Sequence, residues 1–257
     1  MRGALALVLL SISTAAAQQP AWVAIKGQVV LPADIAVPNL PPLAANPKQC
    51  PAKGPLPDER LLVNPKTRGI ANVVVWLRPA NPNPKARFEA KDIHPMDGKR
   101  KPQELVIDQP CCLFTPRVAV ARVGDTIVVK NSAAVAHNFF WTSSANGNLN
   151  VNIPAGGNHT FQNPLVAEAS PIQYKCTIHP WMVGYVRIFD HPYVAITDED
   201  GKFEIKDAPV GDWRLVYWHE NVGFRGGKAG RFGDPIAVPA AKTTLELKPA
   251  DFDVTSR

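Results

Sequence analysis

The run Cys176-Thr177-Ile178-His179-Pro180-Trp181-Met182 puts a thiol, an imidazole and a thioether on one short stretch of backbone. A second imidazole, His137, stands well upstream at the end of a β-like segment and is followed by Asn138. A thiolate, two imidazoles and a long axial thioether are the donor set of a mononuclear electron-transfer copper site. Cu(I) favours soft donors and Cu(II) favours nitrogen. A mixed cage serves both states with little movement, so reorganisation on electron transfer stays small. Cys-x-x-His alone would suit zinc equally well, but zinc sites rarely recruit a thioether. Redox chemistry is therefore the leading reading of His137, Cys176, His179 and Met182.

Each side chain also has an ordinary alternative. Methionine most often packs in cores, a lone histidine is usually a core or surface residue, and a cysteine in an exported chain is usually bridged. Their shared spacing argues for ligands. Other motifs lack such support. His94-Pro95-Met96 has no further spaced ligands, and His159, His191 and His219 fall at strand ends or in strands and read as structural. Gly223 to Gly230 superficially resembles a phosphate loop, but Ala229 follows the lysine where Ser or Thr is required. A flexible glycine hairpin is expected there. No nucleophile motif supports a hydrolase.

The elements that must position these residues are short and rich in Val, Ile and aromatics, separated by turn signals such as Val123-Gly124-Asp125 and Asp198-Glu199-Asp200-Gly201. With 26 prolines and few helical patterns, the chain reads as all-β, built from sandwiches. Pro32 to Pro57 and the basic stretch Pro79 to Pro102 read as extended surface excursions, the second as a solvated loop.

Arg2, the apolar run Leu5 to Ile12 and Ala15-Ala16-Ala17 before Gln18 match a secretory leader, residues 1–17. No cysteine follows the cleavage site to carry a lipid, and no later stretch approaches the roughly 20 apolar residues of a membrane span. A soluble periplasmic or extracellular protein of about 240 residues is expected. Its charge of +6 is spread along the chain rather than gathered into a basic stripe, which argues against nucleic-acid binding. Of the four cysteines, Cys50, Cys111 and Cys112 remain if Cys176 holds metal. A bond between the adjacent pair would be strained, so a bridge from Cys50 to either one is expected.

Four features of residues 104–190 resemble a cupredoxin of the amicyanin, pseudoazurin and plastocyanin kind. They are Gly124-Asp125-Thr126-Ile127-Val128-Val129-Lys130-Asn131, His137-Asn138, Phe161, and Cys176-x-x-His179-x-x-Met182. The resemblance implies a Greek-key sandwich around one type 1 copper ion. It implies Asn138 as a hydrogen-bonding link between the ligand loops, and His179 as the more exposed ligand at an electron port bordered by Pro180 and Trp181. Similar proteins place a bridged cysteine just before an x-Phe-x-Pro step, which favours Cys112 as the partner of Cys50. A second resemblance, to a carboxypeptidase regulatory-like (transthyretin-type) sandwich, rests on Tyr193 to Ile205 and Pro209-Val210-Gly211-Asp212-Trp213-Arg214-Leu215. Its early strands are matched by Lys26 to Val30 and Ile70 to Leu77. It implies a discontinuous sandwich, residues 21–102 and 191–257, with the cupredoxin inserted; two consecutive domains are the alternative.

Three functions follow. The first is a non-enzymatic carrier of single electrons to or from a protein partner, a dehydrogenase or a cytochrome. The second is a copper enzyme, disfavoured because the six histidines form no His-x-His pair. The third is a copper-binding or adhesion module in which the metal is structural or held for delivery.

Overall fold

The computed structural model describes residues 22–43, 54–81, 83 and 85–255; the expected leader and Cys50 lie outside them. The described chain is nearly all β, in four sheets. One four-stranded sheet joins β1 (Trp22–Val30), β12 (Lys202–Pro209), β16 (Thr244–Glu246) and β17 (Ala250–Asp251). A five-stranded sheet joins β2 (Val74–Pro79), β11 (Val194–Ile196), β13 (Gly211–His219), β14 (Gly223–Phe224) and β15 (Asp234–Val238). These two outer sheets enclose one core, with Val23, Ile25, Val75, Leu77, Leu215 and Tyr217 at its centre.

Strands between residues 104 and 189 form the other two sheets. A three-stranded sheet runs β3 (Glu104–Ile107), β5 (Thr126–Lys130), β8 (Asn158–Thr160). The opposing five-stranded sheet runs β4 (Val118–Arg122), β10 (Val183–Phe189), β9 (Ile172–Lys175), β6 (His137–Ser143), β7 (Gly147–Ile153). Between them lie Ile127, Val129, Phe139, Trp141, Tyr174 and Val186.

A third cluster explains why β2 and β13 read as continuous apolar runs rather than alternating ones. Val75 and Leu77 face the outer core, whereas Val74 and Trp76 face the opposite way. Successive strand residues point to opposite faces, so a sheet covered on both sides needs apolar residues at every position. The cover on the second face includes Val118 and Phe189 of the inner unit, packed with Trp76, Val216 and Trp218. Burial of each such aromatic or Val side chain contributes about 1.5–3 kcal/mol. Beside this contact Arg117 forks onto Glu220 through Nε–Oε1 at 2.5 Å and Nη2–Oε2 at 2.7 Å, both side chains being buried.

Three features add to the sequence reading. The stretch after β6, polar at alternate positions, is a strand, β7, in which Leu149, Val151 and Ile153 alternate with asparagines on the sheet edge. The basic stretch 79–102 is exposed for most of its length, as expected of a surface excursion, yet it is not a free loop. Phe88 packs among His191, Tyr193 and Trp213, while Asp97 and Arg100 pair with Arg122 and Asp125 at 2.8 Å. The glycine run near residue 223 is not a plain hairpin either; it holds the short β14 and a 3-10 turn, Gly227–Phe232.

Candidate metal centre

The loop that carries three of the four expected ligands is the connection between antiparallel β9 and β10. It closes on itself: the Cys176 N–H donates to the Met182 carbonyl at 3.0 Å, and the Met182 N–H to the His179 carbonyl at 2.9 Å. The base of the loop is fixed by the cross-strand pair Tyr174–Gly184. The Tyr174 ring lies where a Cβ at 184 would stand, 2.3 Å from its nearest ring atom, so only glycine fits. The Tyr174 hydroxyl donates to the Pro116 carbonyl at 2.8 Å, anchoring the hairpin to the approach to β4.

His137 opens β6 and is completely buried. Asn131, just beyond β5, sets its tautomer. The Asn131 amide nitrogen donates to the carbonyls of Val135, Ile153 and Pro154, at 2.8, 2.9 and 3.1 Å. Its Oδ1 therefore accepts, and lies 3.0 Å from His137 Nδ1. Nδ1 carries the hydrogen, and Nε2 keeps a lone pair that is buried and meets no hydrogen-bond partner among the described residues. Burial, and then the neighbouring His179, pushes the imidazole pKa down to about 4, so the ring is neutral at pH 7. A buried, unprotonated and unpartnered ring nitrogen fits a metal ligand.

Cys176 is a free thiol, buried, with Sγ 3.8 Å from His179 Nδ1. Its sulfur accepts the backbone N–H of Asn138 at 3.3 Å. The Asn138 side chain spans the two ligand segments: Oδ1 accepts the Thr177 N–H at 3.3 Å, and Nδ2 donates to Asn150, Val151 and Asn152 on β7. The rings of His137 and His179 lie 4.9 Å apart, edge to face. Met182 is fully buried in the inner core.

His179 departs from expectation, because it is buried, with only 1% exposed. The Trp181 ring leans against it at 5.2 Å, and the Trp181 indole N–H donates to the Cys112 carbonyl at 3.1 Å, holding that ring in place. The exposed apolar edge of the loop consists instead of Ile178 and Pro180, with Trp181 half-buried.

One neighbour was invisible in the sequence. Cys112, on the 3-10 turn Pro110–Cys112, brings its sulfur within 4.8 Å of ring nitrogens of both His137 and His179. The ligand spacing does not signal it, since the approach depends on how the 110–112 turn folds back. Cys112 is disulfide-bonded, so its sulfur offers no thiolate, whereas Cys176 is a free cysteine. The bridge expected from Cys50 lies outside the described residues. Met96, its N–H donating to His94 Nδ1 at 3.2 Å, belongs to an exposed turn far in sequence from this group.

No family model and no curated protein matches the chain. Its neighbours among solved structures are cupredoxins. A purple cupredoxin from Nitrosopumilus maritimus matches at 21% identity over 35% of this chain and 100% of its own, with a TM-score of 0.28. A methionine-to-alanine variant of amicyanin in its Cu(I) form matches at 22% identity over 34% of this chain and 82% of its own, with a TM-score of 0.29. A proline-to-glycine variant of amicyanin, reduced at pH 4, covers 45% of this chain and 98% of its own at 20% identity and a TM-score of 0.30. Among the described residues, ligand atoms of Cys112, His137 and His179 lie within 4.8 Å of one another, and Cys176 Sγ stands 3.8 Å from His179 Nδ1, all of them buried.

Proposed function

We propose that this protein is an exported, non-enzymatic carrier of single electrons, working through one type 1 copper ion. His137, Cys176 and His179 would hold the ion, with Met182 as the weak axial donor. The observation that carries this reading is the buried pair of a free Cys176 thiol and a lone-pair nitrogen on His137, both next to the His179 ring. Copper supplies the Cu(I)/Cu(II) couple there. The protein's own part is rigidity: Asn131 fixes one imidazole, Asn138 ties the loop carrying Cys176 to β6, and the closed β9–β10 loop limits movement between redox states. Burial excludes water and keeps reorganisation small.

The apolar edge formed by Ile178, Pro180 and Trp181 supports docking of a protein redox partner, a dehydrogenase or a cytochrome, next to His179. The outer sheets would form a carboxypeptidase regulatory-like sandwich, the frame into which the copper unit is inserted. Absorption spectroscopy of the Cu(II)-loaded protein beside Cys176→Ser tests the assignment. An intense thiolate-to-copper band in the first and its loss in the second is the expected result; no such band in the parent protein sinks the reading. Sluggish electron self-exchange in a protein that has the band would favour a structural or delivery role for the metal.

A further inference from the structure

At the far end of β10 from the ligand loop, a cleft of about 690 Å³ opens between the inner unit and the outer sheets. That size falls within the range of small-molecule sites. Its lining is strongly basic: Arg78, Arg87, Arg187, Arg231 and Lys85 stand against only two carboxylates, Glu168 and Asp190.

Most of these charges are already engaged. Arg78 donates to the carbonyls of Asn83 and Arg231 at 2.7 and 3.1 Å. Arg87 pairs with Asp190. Glu168 is taken up by the hydroxyls of Ser143 and Ser144, at 2.7 and 2.5 Å. Arg187 is the exception. Its guanidinium lies 3.8 Å over the Trp76 ring and 4.5 Å over the Phe189 ring, and its Nε and Nη1 are buried with no hydrogen-bond partner among the described residues.

Cation–π contact offsets part of the cost of burying a charge, but donors with no acceptor remain expensive. Burial pulls the guanidinium pKa down, to about 9, with Asp190 opposing and Arg78 adding to the fall. The side chain is still cationic at pH 7. Nε–H and Nη1 lie on different edges of the guanidinium, and each can give a charge-assisted bond to an oxyanion that enters the cleft. The walls beside it are aromatic: Trp76, Phe88, Phe189 and Phe224. They offer apolar faces to a flat organic body.

We propose that this cleft binds a small organic oxyanion, a carboxylate or phosphate on a flat apolar body, with Arg187 as its anchor. The site is separate from the metal centre and stands whether or not copper binds there.

Isothermal titration calorimetry of the protein with benzoate and with phenyl phosphate tests it, beside acetate and inorganic phosphate. The expected result is saturable one-to-one binding of an aromatic anion with Kd below about 1 mM, weakened at least tenfold in Arg187→Met and less in Arg187→Lys. The tighter of benzoate and phenyl phosphate identifies the head group. Should Arg187→Met fail to fold, Arg231→Gln on the cleft wall is expected to weaken binding several-fold. Absence of saturable binding by either aromatic anion up to about 20 mM, or equal affinity in the parent protein and a folded Arg187→Met or Arg231→Gln variant, overturns the proposal. Equally tight binding of acetate or inorganic phosphate overturns the part given to the aromatic walls.

Discussion

The backbone N–H of Asn138 points at Sγ of Cys176 from 3.3 Å, while the Asn138 side-chain oxygen receives the N–H of Thr177, also at 3.3 Å. One residue thus holds the sulfur and the start of the loop that bears it. Three further bonds from its Nδ2 reach β7.

Asn138→Ala removes the side-chain part of this link and leaves buried groups on both segments unpaired. At about 1 kcal/mol net for each of the four side-chain bonds, a loss of roughly 4 kcal/mol is expected. That lowers Tm by roughly 8–16 °C for a chain of this size. Copper affinity is expected to fall about 10–100-fold, as for other residues that orient metal ligands. Differential scanning calorimetry and competition with a chelator check both; an unchanged affinity would contradict the role given to Asn138.

The two sulfurs near the imidazoles are expected to behave in opposite ways. Cys112→Ala keeps the thiolate-to-copper band, because Cys176 supplies the thiolate, but loses a disulfide and hence about 2–5 kcal/mol of stability. Cys176→Ser loses the band and keeps the disulfide. Absorption spectra and urea unfolding of the two variants, measured together, distinguish these assignments.

Arg117 and Glu220 are almost fully buried and joined by two bonds across the contact between the inner unit and the outer sheets. Breaking such a pair from one side costs about 3–5 kcal/mol, because the remaining charge is stranded, whereas replacing both with apolar residues of similar size is often neutral. Glu220→Ala is therefore expected to be much less stable in urea than Arg117→Met/Glu220→Leu. Equal losses in the two would show that the pair itself, rather than stranded charge, dominates.

His219, buried at the end of β13, has its pKa pushed down to about 4 by burial and then by Arg117; burial also holds His191 well below the usual range. Each is neutral in the fold and gains a proton on unfolding below about pH 6.5. The unfolded state then binds more protons, so stability rises with pH. The contribution of His219 is complete above about pH 6.5 and is lost as pH falls towards 4, on the order of 3 kcal/mol in all. Urea midpoints between pH 7 and 4.5 check this: His219→Gln is expected to flatten the slope.

Much of the metal centre was legible because ligand chemistry is local. Cys176, His179 and Met182 share one loop, and the turn-and-strand pattern before His137 announces where β6 begins. The all-β class was equally plain from short Val- and Ile-rich runs. What escaped was set by tertiary contact. Cys112 reaches the imidazoles only because the 110–112 turn folds inward, and Trp181 buries His179 only because its indole finds the Cys112 carbonyl. β7 was hidden because its asparagines look like a loop until β6 pairs with it residue by residue. Arg187 gave no signal either, since its stacking partner Trp76 belongs to a strand far away in the chain.

The register between β2 and β11 carries a consequence for how the molecule is made. Val194 sits opposite Trp76 and Ile196 opposite Val74, as in an ordinary hairpin, yet the entire inner unit with the candidate metal centre is threaded between them. During synthesis the first of these edges must wait, unpaired, until everything through residue 196 has emerged. Closing so long a loop is entropically cheap once the intervening piece has collapsed and drawn its ends together, and slow before that. The inserted region therefore acts as an assembly template for its own container, and damage there is expected to surface first as a container that never shuts.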